Sequence, residues 1–187
     1  MKFIGIEKQA SGKYISRYNL QYETNDGKTK IYEMISRDPD ITDFEKLHGK
    51  DPADAVVLII HNSDKSKILI NREFRLAPGK WVYNFPAGLI DPGEDAETAA
   101  ARELREETGL ELVSIEDIIG LSYSAVGFSN EMNVCVVGTC KGDIQMSDSQ
   151  FEEIEAAWYT KSEVRELLKT VRFAARTQAY LYMWSKE

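Results

Sequence analysis

Histidine, cysteine and basic residues are scarce in this sequence, and long apolar runs are missing. The two histidines, His48 and His61, stand in no recognisable motif, so neither reads as a catalyst or a metal ligand. Cys135 and Cys140 are separated too widely for a C-x-x-C redox pair and do not match a zinc spacing. They read as reduced, partly buried thiols, and the expected location is cytoplasmic. No apolar stretch nears the roughly 20 residues that span a bilayer, and the opening MKFIGIEKQ lacks a signal-peptide core. Lys and Arg number 23 against 31 Asp and Glu, a formal charge of −8 that argues against general nucleic-acid binding. Repeats and low-complexity tracts are absent as well. What remains, 187 residues at 43% hydrophobic and 29% charged, fits a soluble globular domain, alone or with a small extension.

The acids are concentrated. Residues 91–117 hold ten of them against Arg102 and Arg105, and such a segment repels a polyphosphate unless metal ions intervene. At its centre lies GLIDPGEDAETAAARELREETGL, from Gly88 to Leu110. On a helix, Glu103, Glu106 and Glu107 fall within an arc of roughly 100° on one face. Like charges at these spacings cost about 0.2–0.5 kcal/mol per pair. Gly109 is a natural stop, so Glu106 and Glu107 also occupy the last turn, where the helix dipole disfavours anions. Three glutamates alone would pass for a solvated acidic face. A cation supplied from outside resolves the conflict better, and oxygen-only ligands suit Mg²⁺ or Mn²⁺.

The wider spacing decides between these readings. Gly88, five residues, Glu94, seven residues, Arg102-Glu103-Leu104, one residue, Glu106-Glu107, one residue and Gly109-Leu110 make up the full Nudix box. At average residue frequencies a chance match is on the order of one in ten million. The sequence therefore resembles the Nudix hydrolases. Outside the box, Arg72-Glu73-Phe74-Arg75, the run from Phe85 to Glu94, and Gly127-Phe128-Ser129-Asn130-Glu131 resemble the ADP-ribose pyrophosphatase and nucleoside-diphosphate-sugar hydrolase branch. Val126 stands where that branch usually has a proline, and Asn84 where Glu is common. Both bear on substrate choice and neither on the metal set.

Read in order, residues 14–37 form a hairpin. Tyr14, Ser16, Tyr18, Leu20 and Tyr22 alternate onto one face, and Asn25-Asp26-Gly27 supplies the turn. Residues 1–52 then make an N-terminal β extension and 53–187 the main domain. Asp54–His61 is a central strand buried on both faces. Ile68–Glu73, Trp81–Phe85, Met132–Cys140 and Ile154–Tyr159 are further strands. A helix spans about Asp95–Thr108 with Asp95 as its N-cap. Thr160 with Glu163 forms a capping box for a helix through Leu168, and a last helix covers Phe173–Ser185. Strands interleaved with helices give an α/β class, and the resemblance implies a three-layer α/β/α sandwich with a mixed sheet.

The resemblance further implies metal-dependent hydrolysis of a phosphoanhydride in a nucleotide sugar, by a homodimer whose hairpin tyrosines form the shared face. It makes Glu103, Glu107 and Glu106 the metal ligands, with the Ala87 carbonyl beside them. Glu131, Glu106 and Arg102 form the catalytic set. Glu131 is the water-orienting base on a hinged loop, and Arg102 braces the box by an ion pair to Glu94. Arg72 and Arg75 either fork onto phosphate or pair on the surface. Trp81 and Phe85 either stack on a base or fill the core. Glu152 and Glu153 are second-rank ligand candidates. The competing functions are a hydrolase of oxidised nucleoside triphosphates or dinucleoside polyphosphates, and a nucleotide-sugar sensor, which a complete box argues against.

Overall fold

Alternation and turn chemistry lay down the first of two units in the computed structural model, which describes residues 1–49, 53–147 and 152–186. This unit comprises Met1–Asp54 and Leu121–Asn133. Strands β1 (Lys2–Ser11), β2 (Ser16–Glu23) and β3 (Thr29–Ser36) form an antiparallel sheet in the order β1-β2-β3. The β2–β3 turn has Gly27 at φ 78°, a left-handed conformation that glycine adopts without strain. Period-two alternation along β2 buries Ser16, Tyr18 and Leu20, and Met34 of β3 joins them. A short helix α1 (Phe44–His48), capped by Asp43, contributes Leu47 to the cluster together with Ile41. The Tyr18 hydroxyl donates to the Asp38 carbonyl at 2.8 Å.

Two expectations are corrected here. The alternation stops at Ser16, leaving Tyr14 exposed. The inward tyrosine face is filled by the chain's own Ile41 and Leu47, so it is not a surface reserved for a second copy. Strand β1 is an addition to the expected hairpin. A register shift between Phe3 and Gly5 places Phe3 and Ile6, three residues apart, against the same cluster.

The second unit comprises Ala55–Gly120 and Val134–Glu187. Its elements are β4 (Ala55–His61), β5 (Lys67–Arg75), β6 (Lys80–Asn84), β7 (Ala87–Leu89), α2 (Ala96–Thr108), β8 (Glu111–Tyr123), β9 (Met132–Lys141), β10 (Ile154–Thr160), α3 (Lys161–Thr170) and α4 (Ala175–Trp184), β8 and β9 each running on into the first unit. The main sheet has the order β10-β5-β4-β9-β8, with β6 beside β5 and β7 beside β4. Every residue of β4 is buried, as its continuous apolar run requires. Val57 and Ile59 pack with Val164 of α3 and with Leu181 and Trp184 of α4. Val56, Leu58 and Ile60 point the other way, toward the layer where α2 lies against β4 and β7. This is the α/β sandwich expected, with β7 and β8 as strands that the sequence did not announce. Among the described residues no helix is long and apolar enough to cross a membrane.

One detail of topology positions everything that follows. β4 and β5 pair at His61 and Ile68 and then part company. From Asn71 onward β5 pairs with β6, while Ala55–Val57 of β4 pair with β7. Phe85-Pro86 threads the fork, and Leu58 N donates to the Pro86 carbonyl at 2.8 Å. From Asn71 onward β5 therefore has β6 on one edge and β10 on the other, and its alternate side chains stand off the sheet face beside the point where β4 turns to β7.

Candidate active site

Helix α2 aims the box. Asp95 caps it by accepting from Thr98 N at 2.8 Å, and Gly109 ends it at φ 75°. Its buried stripe is Ala99, Ala100, Leu104, Glu107 and Thr108. Glu107 follows Leu104 by three positions and Ala100 by seven, so the face that packs on the sheet carries the carboxylate inward. It is 7% exposed. Asn71 Nδ2 of β5 donates to its Oε2 at 2.8 Å, and Ala87 N of β7 donates to the same oxygen at 3.3 Å. Among the described residues these two neutral donors are its hydrogen-bond partners. Burial pushes the Glu107 carboxyl well above its ordinary range, and the neighbouring charges of Glu73 and Glu103 push it further.

Glu103 takes a different place. Its carboxylate lies directly over Gly88, where a Cβ would come within 1.9 Å of Cδ. Only glycine leaves that space. Arg102 Nη1 donates to Glu103 Oε1 at 2.7 Å and to Glu106 Oε2 at 3.3 Å. The same guanidinium reaches Glu94 through Nε at 2.9 Å and Nη2 at 2.8 Å, and the Leu89 carbonyl at 2.9 Å. Burial raises the Glu103 carboxyl despite Arg102, whereas the hydrogen bond from Arg102 lowers that of Glu94. Arg102 is thus committed to carboxylates and a carbonyl of its own loop and helix. The ion pair to Glu94 expected of it is present, and every donor face it offers is occupied within the box.

Glu107 and Ala87 line a cavity of about 360 Å³ with Glu73, Arg75, Glu152 and Glu153. Glu73 is 5% exposed, its carboxyl raised by burial and lowered again by Arg75, which pairs with it at 3.1 Å. Arg75 therefore sits at the cavity, half open to solvent. Arg72 pairs with Glu155 at 2.6 Å, and its guanidinium lies 4.1 Å from the centre of the Trp81 ring. Phe85 is corrected: at 1% exposure, edge-on to Tyr180 and within the α3–α4 core, it offers no face to a ligand. Glu131 belongs to the first unit, where Arg37 Nε donates to it at 2.6 Å. Its loop is fastened there, with Ile35 N donating to the Phe128 carbonyl at 2.9 Å and Tyr32 to the Gly127 carbonyl.

The donor set suits a hard divalent cation. It consists of oxygen ligands, carries an excess of anions, and holds Glu107 with neutral partners alone. Among the described residues, no three acidic, histidine or cysteine side chains are already gathered in ligating geometry. Glu103 and Glu106 are held by Arg102, which competes for the same oxygens.

Sequence reading missed Asn71 and Glu73. The available signal was their position: two polar residues, spaced by two, follow Ile68-Leu69-Ile70 on an apolar strand. Polar groups on the inward face of a central strand need a partner or a purpose.

Comparisons with known proteins bear on the family and the fold. The family model described as NUDIX domain matches residues 51–181. The ADP-ribose pyrophosphatase of Bacillus subtilis (strain 168) is 30% identical over 131 residues, covering 70% of this chain and 62% of its own. The ADP-ribose pyrophosphatase of Saccharomyces cerevisiae is 28% identical over 148 residues, covering 78% and 60%. The chain spans about 60% of the length of the curated relatives it matches. A solved structure described as an ADP compounds hydrolase superimposes with a TM-score of 0.73 at 20% identity, over 100% of this chain and 94% of its own. At that identity the likeness establishes the fold.

Proposed function

Because the chain belongs to the NUDIX domain family, we propose that it hydrolyses the diphosphate bond of ADP-ribose or a related nucleoside diphosphate sugar. The products are a nucleoside monophosphate and a sugar phosphate. One observation carries this reading: Glu107 is a buried carboxylate, at a cavity with Glu73, whose hydrogen-bond partners among the described residues are neutral. Isolated buried charge is costly, and a cation removes the cost.

Mg²⁺ or Mn²⁺, when bound, would neutralise the phosphoryl oxygens and lower the pKa of the attacking water. Glu103 and Glu107 would hold the ions, with Glu106 and the Ala87 carbonyl beside them. Arg102 fixes the box by tying Glu94 and the Leu89 carbonyl to the helix. Arg75, exposed at the cavity, supplies a guanidinium that matches two phosphate oxygens. Trp81, with Arg72 over its ring, offers a surface for the nucleotide's base or sugar. Glu131 is assigned as the base on its sequence position, with Glu152 and Glu153 as rivals that line the cavity.

The reading includes a cytoplasmic homodimer whose substrate is a small molecule and whose action needs no nucleic acid or membrane. Ile31 on β3 is an exposed apolar residue that a second copy would cover. A panel of ADP-ribose, ADP-glucose, GDP-mannose, UDP-glucose, dinucleoside polyphosphates and nucleoside triphosphates, each with Mg²⁺ or Mn²⁺, tests the substrate. Release of nucleoside monophosphate and sugar phosphate is expected. Pyrophosphate from triphosphates as the dominant product would overturn the assignment.

A further inference from the structure

Glu73 lies outside the box and outside the ligand set assigned above, yet it shares a cavity with Glu107 and Ala87. Strand alternation puts Leu69, Asn71 and Glu73 on one face of β5. After Ile68, Leu69 and Ile70 that face should stay apolar, but both polar side chains are buried there, Asn71 completely. Asn71 gives an N–H to Glu107 Oε2 at 2.8 Å and leaves its own buried Oδ1 without a partner. Two buried carboxylates and an orphaned amide oxygen therefore stand at the fork between β4 and β5, all hard oxygen donors.

Among the described hydrogen bonds and ion pairs, positive charge reaches Glu73 from Arg75. Arg75, two residues along the same strand and 59% exposed, extends Nη1 to Glu73 Oε2 at 3.1 Å. Two buried carboxylates that share a cavity repel one another unless a cation lies between them. Arg75 neutralises Glu73 from the solvent side and makes no contact with Glu107 among the described hydrogen bonds and ion pairs.

Resting on the reading that the box holds divalent ions, we infer that Glu73 is a further protein ligand to them. It joins Glu103, Glu106 and Glu107 as a carboxylate contributed by the sheet. Arg75 takes the cation's place on Glu73 and is released when the ion binds, free then to meet a substrate phosphate. The two arginines of Arg72-Glu73-Phe74-Arg75 thereby have different tasks: Arg72 is fixed on Trp81 and Glu155, and Arg75 exchanges partners.

Mn²⁺ binding to the metal-free protein tests this without any turnover, by calorimetry and by the electron paramagnetic resonance signal of free Mn²⁺. Glu73→Gln should weaken Mn²⁺ binding by at least about tenfold. Arg75→Ala, at an exposed side chain that leaves the fold alone, should tighten it, and in the double variant that gain should vanish. Wild-type affinity in Glu73→Gln, with affinity lost in Glu107→Gln, overturns the inference and leaves the box assignment standing. Wild-type affinity in Glu107→Gln overturns the box assignment itself. Should Glu73→Gln fail to fold, Arg75→Ala decides, and unchanged or weaker Mn²⁺ binding there refutes the exchange.

Discussion

Replacing Gly88 by alanine separates the fold from the chemistry at one atom. Gly88 is not among the residues at positive φ, so alanine meets no backbone strain. Its Cβ would lie 1.9 Å from Glu103 Cδ and 2.1 and 2.2 Å from the two carboxylate oxygens. Ordinary carbon contacts begin near 3.5 Å, so the carboxylate must retreat by about 1.5 Å. What yields is the end of a flexible side chain, not a packed backbone. The retreat strains the bond from Arg102 Nη1, while Arg102 keeps Glu94 and the Leu89 carbonyl. Losing one such bond between charged groups costs about 1.5–3 kcal/mol. Against this, alanine restricts the unfolded chain and returns about 0.4–1 kcal/mol. Metal-free stability should therefore fall by about 0.5–2.6 kcal/mol, roughly 1–10 °C in Tm. Catalysis has no such compensation, because a displacement of about 1 Å at a reacting centre costs on the order of a hundredfold. The assay pairs thermal melts in EDTA with turnover of ADP-ribose in Mg²⁺. A stable Gly88→Ala protein with wild-type kcat would refute the reasoning, since Glu103 would then have no need to lie where it does.

Glu107→Gln should melt at or above the wild-type temperature in EDTA, because it removes a buried charge held by neutral donors, while activity falls by at least about a hundredfold. Near-normal turnover in that variant would remove Glu107 from the metal site. Glu73, Glu103 and Glu107 all have folded-state pKa values raised above 4.5, chiefly by burial. A raised carboxyl stabilises the fold below its unfolded pKa, and that contribution is lost as pH rises through the folded value. Metal-free protein should thus be less stable at neutral pH than just above pH 4.5, with a flatter profile in Glu107→Gln; equal unfolding free energies from denaturant titrations across pH would contradict the burial argument. Glu131→Gln should lower kcat by roughly 10²–10⁴ with KM little changed if it is the base, whereas unchanged kinetics would pass the role to Glu103, Glu152 or Glu153. Sedimentation at micromolar concentration should show a dimer, and a monomer there would leave Ile31 without the proposed cover.

Local chemistry made most elements legible. An unbroken apolar run marks β4, an aspartate cap and a terminal glycine bracket α2, and the Thr160–Glu163 capping box starts α3. The missed strands are those whose burial does not follow their sequence period. β1 carries bulges, which bring Phe3 and Ile6 to one face across three residues. β8 spaces Leu112, Ile115 and Ile118 by three, a helical interval, and as an edge strand it leaves most of its side chains exposed. At the site, the spacing of the box carboxylates is a property of one helix and could be read directly. Asn71 reaches Glu107 across 36 positions and Arg37 reaches Glu131 across 94, and no local pattern encodes either meeting. Phe85 fails for a related reason, because a strand aromatic looks the same whether it meets a ligand or Tyr180.

The three glutamates of α2 are equivalent in a helical projection and unequal in the fold. Arg102 draws Glu103, Glu106 and Glu94 around a single guanidinium, which removes the like-charge penalty from the exposed side of the helix. Glu107 points away from that cluster, into the fork where β5 leaves β4, and meets Glu73 instead of an arginine. The helix is therefore neutralised internally at two of its carboxylates and left uncompensated at the third. That asymmetry follows from positions alone: residues 103 and 106 flank Arg102 on the helix surface, while 107 shares the packed stripe with Ala100 and Leu104. On the proposed reading, a cation arriving at Glu107 would meet only neutral donors, from Asn71 and Ala87, whereas one arriving at Glu103 or Glu106 would compete with Arg102. Glu107 would then anchor a first ion, and Glu103 and Glu106 would set how readily a second one joins it.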